Sequence, residues 1–272
     1  MTHRNNLVCS QLLKSSMDDT KTQLSPLYKD LISRLKVHPK TPISPPMVIP
    51  KRVSIKGGVF TCIESNGVAT TLEGNSLEAV ILTAAPVSRT YYPNAYNPDE
   101  HTKPTCWSSD TRTAKPDEEV MDKQAANCLA CDRNIKGSGE GKSRACRFHQ
   151  RIAICLVKEE KLIPEVMQLQ LPATSVFGKD QHKMCMQAYL KHLNAHSAPV
   201  VSLVTNISFD KASELPRLMF APVRALSEEE LTLAIELKDS SSTNAALVLS
   251  NSKSPFPTQE GFVYANEDII DD

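Results

Sequence analysis

From Tyr92 to Arg147 an otherwise regular β rhythm stops, and a stretch rich in proline, glycine and charge takes its place, holding four of the chain's eight cysteines. It has little apolar material, so something other than a hydrophobic core must order it. Its flanks are β in character. Before it, KRVSIKGGVFTCIESN, GVATTLEG and LEAVILTAAPVSRTYY are rich in β-branched residues and punctuated by Gly57-Gly58, Asn66-Gly67 and Gly74-Asn75. That pattern predicts a meander of antiparallel strands joined by tight turns. After it, RIAICLVKEE, EVMQLQLP, VVSLVTNISF and PRLMFAPV resume the rhythm. A helix is expected over Ser175 to Ala195, with Met184, Ala188, Tyr189 and Leu193 near one side. A second is expected behind the capping box Ser227-Glu228-Glu229-Glu230. The chain is therefore expected to be mostly β, with a few peripheral helices. Five or more short strands fit a small antiparallel barrel of the oligonucleotide-binding (OB) type, and strand count alone leaves a sandwich open.

The ends differ from the centre. Residues 1–49 are expected to form a helix, capped by Ser25 with Leu27, Leu31 and Leu35 on one face, and then a proline-rich tether. This segment is the expected seat of any self-association. Residues 50–240 are read as an OB-like core carrying the insertion 92–147, and residues 241–272 as a flexible polar segment ending in an acidic tail. No run of 18 apolar residues and no apolar leader is present, so neither a membrane span nor secretion is expected. Lys plus Arg number 31 against 31 Asp plus Glu, so any electrostatic function must come from segregated charge.

The cysteines of the interruption are spaced C-x21-C-x2-C-x14-C at Cys106, Cys128, Cys131 and Cys146. A C-x2-C pair can grip one metal ion, and two further cysteines complete a tetrahedron, so one structural Zn2+ is expected, with His149 as the reserve ligand. A redox pair at Cys128 and Cys131 or an iron–sulfur cluster are the competing chemistries. Cys62 and Cys155 sit in strand patterns and read as small buried hydrophobes. The run Gly137 to Ser143 superficially matches a phosphate-binding loop, but Lys136 occupies the position that needs glycine.

Charge is segregated within the same stretch. Arg133, Lys136, Lys142, Arg144, Arg147 and Arg151 are opposed inside it only by Glu140, with Phe148 interleaved and Tyr91, Tyr92, Tyr96 and Trp107 on the other arm. Cations beside stacking platforms hold single-stranded nucleic acid without reading its sequence, DNA or RNA by the same logic. Glu267, Asp268, Asp271 and Asp272 form an acidic end suited to basic partner proteins. No nucleophile, base and orienter pattern is visible, and the His182, His192 and His196 spacing is not that of a metalloprotease helix, so no enzyme is expected.

Taken in order, Tyr91-Tyr92-Pro93, Pro104-x-Cys106-Trp107-Ser108, Asn127-Cys128-x-x-Cys131 and Gly141-Lys142-x-x-Ala145-Cys146-Arg147 resemble bacteriophage single-stranded-DNA-binding proteins with an OB-type core and an inserted zinc loop. The match is best over residues 78–158. The resemblance implies that Cys106, Cys128, Cys131 and Cys146 hold the zinc and that Tyr91, Tyr92, Trp107, Arg144, Arg147 and Arg151 line a single-stranded-DNA cleft. It further implies replication or recombination work in the cytoplasm of an infected host, with the acidic tail recruiting phage replication proteins. Two other classes stay open: a zinc-stabilised protein-binding adaptor, and a nucleic-acid enzyme such as a nuclease.

Overall fold

Strand pairing in the computed structural model runs β10-β9-β4-β7-β8-β1-β2-β3, with β5 joined to β7 and β6 to β5, ten strands in one sheet. The structure describes residues 50–93, 104–178, 184–213 and 215–248. The expected N-terminal helix and tether, Tyr96 and the acidic tail lie outside them. In chain order the strands are β1 (Arg52–Ser54), β2 (Thr61–Ile63), β3 (Ala69–Thr71), β4 (Ser76–Ala84), β5 (Ser88–Tyr91), β6 (Cys106–Ser108), β7 (Cys146–Lys158), β8 (Lys161–Pro172), β9 (Leu203–Phe209) and β10 (Leu218–Ala225). The helices are α1 (Ala173–Val176) and α2 (Met186–Ala195), between β8 and β9, and α3 (Glu228–Lys238) and α4 (Ser241–Leu247), after β10.

Two features overturn the expected OB-like barrel. The path ends at β3 on one side and β10 on the other, with no pairing between them, so the sheet is open. It is also mixed, because β1 runs parallel to β8 (Arg52 opposite Gln168, Val53 opposite Leu169) while the other pairs are antiparallel. A simple meander would also have paired β3 with β4; instead β4 lies between β7 and β9. The open sheet still curls. The Phe60 and Phe209 rings, carried at the ends of β2 and β9 on opposite sides of the path, approach to 4.6 Å. The edge strand β10 tolerates Pro222 and a register shift between Pro222 and Arg224, both features that blunt an edge against further pairing.

Alternation along the central strands sends side chains into two cores. On one face Ile152, Ile154 and Leu156 pack with Ile81, Leu169, Ile207 and Phe220, and α2 closes over them with Met186, Tyr189 and Leu193. Those three recur at helical spacing and put one stripe on the sheet. The Tyr189 hydroxyl bonds Thr205 Oγ1 at 2.8 Å, satisfying both buried groups. On the other face Ala153, Cys155 and Val157 pack with Val80, Leu82 and Val204 under Leu231, Ala234 and Ile235 of α3 and Ala246 of α4. The capping box starts α3 as expected: Glu230 N donates to Ser227 Oγ and Ser227 N to Glu230 Oε2. Arg224 of β10 grips the same carboxylate at 2.6 and 2.7 Å, tying the helix start to the sheet edge. Among the described residues no helix is long and apolar enough to cross a membrane.

Candidate binding lobe

The short ladder β6-β5-β7 carries residues 109–145 as a lobe, and its register decides what the expected site residues can do. Across it Cys106, Tyr91 and Cys146 stand in one row, and Ser108, Arg89 and Phe148 in the next row on the same face. Trp107, Thr90 and Arg147 fall on the opposite face. Cys128 and Cys131 come from the lobe itself. There, Asn127 Oδ1 accepts from Leu129 N at 2.8 Å to start the 3₁₀ turn Cys128–Ala130, and Asn134 Nδ2 donates to Cys128 O at 3.0 Å. The lobe's return is pinned by Gly137 N and Gly139 N, both donating to Ser143 O, and by Arg144 Nη1 donating to Asn134 O at 2.7 Å. Gly139 is needed for contact rather than for a phosphate: a Cβ there would lie 2.8 Å from Arg144 C and 2.9 Å from Ala145 N.

The four thiols, with Arg89 and Tyr91, line one narrow cavity. Among the described residues no group of three or more His, Cys, Asp or Glu is placed to hold a metal ion, which overturns the expected zinc. The physical reason is the register. Tyr91 stands between Cys106 and Cys146, placing their Cα atoms two strand spacings apart, roughly 9–10 Å. Four sulfurs on one zinc lie within about 4 Å of one another, so at that backbone separation Cys106 and Cys146 could share an ion only with their side chains directed at each other along the sheet, whereas strand side chains stand roughly perpendicular to it. Burial also works against ionisation at three of the thiols. Burial pushes Cys106 and Cys128 up and Cys146 up to about 12, and the Arg89 guanidinium, which pulls Cys128 and Cys146 the other way, does not offset it. These cysteines act instead as core: Tyr91, Cys106, Val120 and Cys146 form a small apolar cluster against which Trp107 and Ala145 pack. The reserve ligand His149 is buried on the opposite face, its Nε2 accepting from Arg151 Nη2 at 3.1 Å, and burial together with that cation holds its pKa down to about 3.

The expected nucleic-acid cleft does not assemble either. The Arg133 guanidinium lies 5.1 Å from the Tyr91 ring centroid. Phe148 is buried between Arg89, 4.7 Å over its ring, and the edge of Phe177. Arg144 is used in the lobe's own fold, Arg151 is buried beside His149, and Tyr92 and Arg147 are half-buried. Lys142 is exposed. The basic stripe is thus divided: Arg133, Lys136 and Lys142 are exposed on the lobe, Arg144 and Arg147 are half-buried and Arg151 is buried. Together with the open sheet and the absence of a metal group among the described residues, this overturns the zinc-organised single-stranded-DNA function and the resemblance that supported it.

Sequence reasoning missed two features. Arg89 is buried to 3% exposure, with Nε and Nη1 lacking a hydrogen-bond partner, and no motif marks it. Met121, Leu129 and Ile135 project into solvent at 98%, 70% and 57% exposure; large apolar residues inside a stretch otherwise rich in charge were the available signal. No family model, no curated protein and no solved structure matches this chain.

Proposed function

We propose that this chain is a non-catalytic protein-binding module in which the curled sheet is the scaffold and the lobe is the contact surface. The observation that carries the reading is the placement of Met121, Leu129 and Ile135: half of the six exposed large hydrophobics among the described residues sit on the segment least able to afford them. Apolar side chains left in water on a loop ordered by caps and a buried thiol cluster are what a partner's surface covers. The chemistry around them supports binding over catalysis. Cys106, Cys128 and Cys146 are desolvated and poor nucleophiles, and His149 is held neutral and sealed inside. The seven described cysteines are free thiols, which fits a reducing, cytoplasmic setting as part of the same proposal.

Site-specific photo-crosslinking tests the reading. A photoreactive residue at position 121, 129 or 135, introduced in cells, is expected to give discrete protein adducts, and one at the exposed Lys191 on α2 is not. Equal adduct patterns at the lobe and at position 191 would remove the lobe from the binding surface. Adducts to nucleic acid in place of protein would replace the reading.

A further inference from the structure

Arg89, on β5, is a cation taken out of water and left unanswered by the fold. It is 3% exposed, and its Nε and Nη1 have no hydrogen-bond partner. The Phe148 ring, 4.7 Å from its guanidinium carbon, covers one side but offers those two nitrogens no acceptor. Arg89 also lines the narrow cavity between the ladder and the lobe, where Arg133 is a second guanidinium and no described lining residue is a carboxylate. The carboxylates that act on Cys106 from nearby are engaged elsewhere or face water: Asp117 accepts from Ser109 N at 2.8 Å, and Asp122 is exposed. Asn134, also in the lining, spends its amide on Cys128 O and Arg144. Burial opposes ionisation of Cys106, Cys128 and Cys146, so these thiols do not supply the missing charge. Buried charges are kept where an opposite charge meets them, and unsatisfied buried donors beside a cavity mark the place of a water or an ion. Water would accept from the two nitrogens and still leave two cations uncompensated.

We propose that this cavity binds one small monovalent anion between Arg89 and Arg133, a site that goes beyond the protein-binding reading and does not depend on it. Its narrowness selects the class of ligand: there is room for a group close to water in size, a halide or a formate-like carboxylate, and not for a phosphate ester. Arg89 belongs to the ladder and the exposed Arg133 to the lobe, so an anion held by both ties the lobe to the sheet. The lobe is therefore more tightly closed with the anion bound than without it.

Limited proteolysis of residues 104–145 in the full chain provides the test, with sodium formate or sodium chloride replacing sodium gluconate at constant ionic strength. Formate and chloride are expected to protect the lobe saturably, slowing cleavage about tenfold at about ten times the dissociation constant. Gluconate, too bulky to enter, is expected to give no protection. Arg89→Met keeps a long side chain without its charge and is expected to be cleaved at one rate in all three salts. Chloride NMR on the wild-type chain gives a reading that needs no variant: excess line broadening that formate abolishes and gluconate does not. Absence of both saturable protection and broadening overturns the proposal. So does protection of equal size in Arg89→Met, which would leave an adventitious ion only. So does ultraviolet thiolate absorbance at neutral pH that Arg89→Met removes, which would make a cysteine the partner of the cation. None of these results moves the crosslinks at positions 121, 129 and 135, so this site and the protein-binding reading fail separately.

Discussion

Replacing Cys146 separates a cysteine that packs from a cysteine that ligates. Its thiol is buried beside Tyr91 and Cys106 and pushed up to about 12 by desolvation, so the sulfur acts as a small apolar group. Cys146→Ala deletes about one methylene's worth of buried apolar volume, a loss of about 1 kcal/mol. Cys146→Ser keeps the size but buries a hydroxyl in an apolar cluster, which adds about 1–3 kcal/mol if no partner is found. The expected order of lobe stability is therefore wild type, then Ala, then Ser, and a metal chelator should leave that order and the wild-type melting curve unchanged. Urea unfolding with limited proteolysis of residues 104–145 reads it, since cleavage there reports the lobe rather than the sheet. A metal ligand behaves differently: Ala and Ser would be equally damaging, and chelator would expose the wild-type lobe to protease. That pair of results would refute the packing account.

Two further predictions concern the lobe and its root. Gly139→Ala forces a Cβ against the backbone of Arg144 and Ala145 and is expected to cost about 1–3 kcal/mol locally, seen as faster cleavage near residues 137–145 while the sheet's melting transition stays in place. His149 has its folded pKa lowered to about 3 from 6.5, so the unfolded chain binds the proton first: its contribution is fully present above about pH 6.5 and falls as pH drops toward 3. His149→Gln, which keeps an acceptor for Arg151, is expected to flatten that part of the stability–pH curve, and an unchanged slope in denaturant titrations across this range would assign the dependence to other groups.

What could be read from the sequence was local, and what could not was register. Strands β1 to β4 are marked by Gly57-Gly58, Asn66-Gly67 and Gly74-Asn75, and α3 by a capping box that forms as written, because turn and cap chemistry acts over four residues. The parallel pairing of β1 with β8 joins residues more than a hundred positions apart, and no short-range signal encodes it. Barrel closure failed for the same reason: strand count says nothing about whether β3 meets β10. The cysteine spacing was visible, but the backbone separation at which the thiols meet depends on Tyr91 standing between Cys106 and Cys146, a fact of pairing. The basic stripe misled because alternation along β7 sends Phe148 to one face and Arg147, His149 and Arg151 to the other. Met121, Leu129 and Ile135 were legible as apolar residues out of place, and the cysteines between them drew the reading toward metal.

The central claim is that the apolar points of the lobe act together as a protein-contact surface, and the most direct measurement places a photoreactive reporter at position 129 in two backgrounds, wild type and Met121→Ser with Ile135→Ser. Because Met121 is almost wholly exposed and Ile135 more than half exposed, the two serines should shift the melting temperature by no more than a few degrees. The account predicts that the yield of protein adducts at position 129 falls by about tenfold in the double variant. An undiminished yield, at equal expression and equal melting temperature, would contradict it.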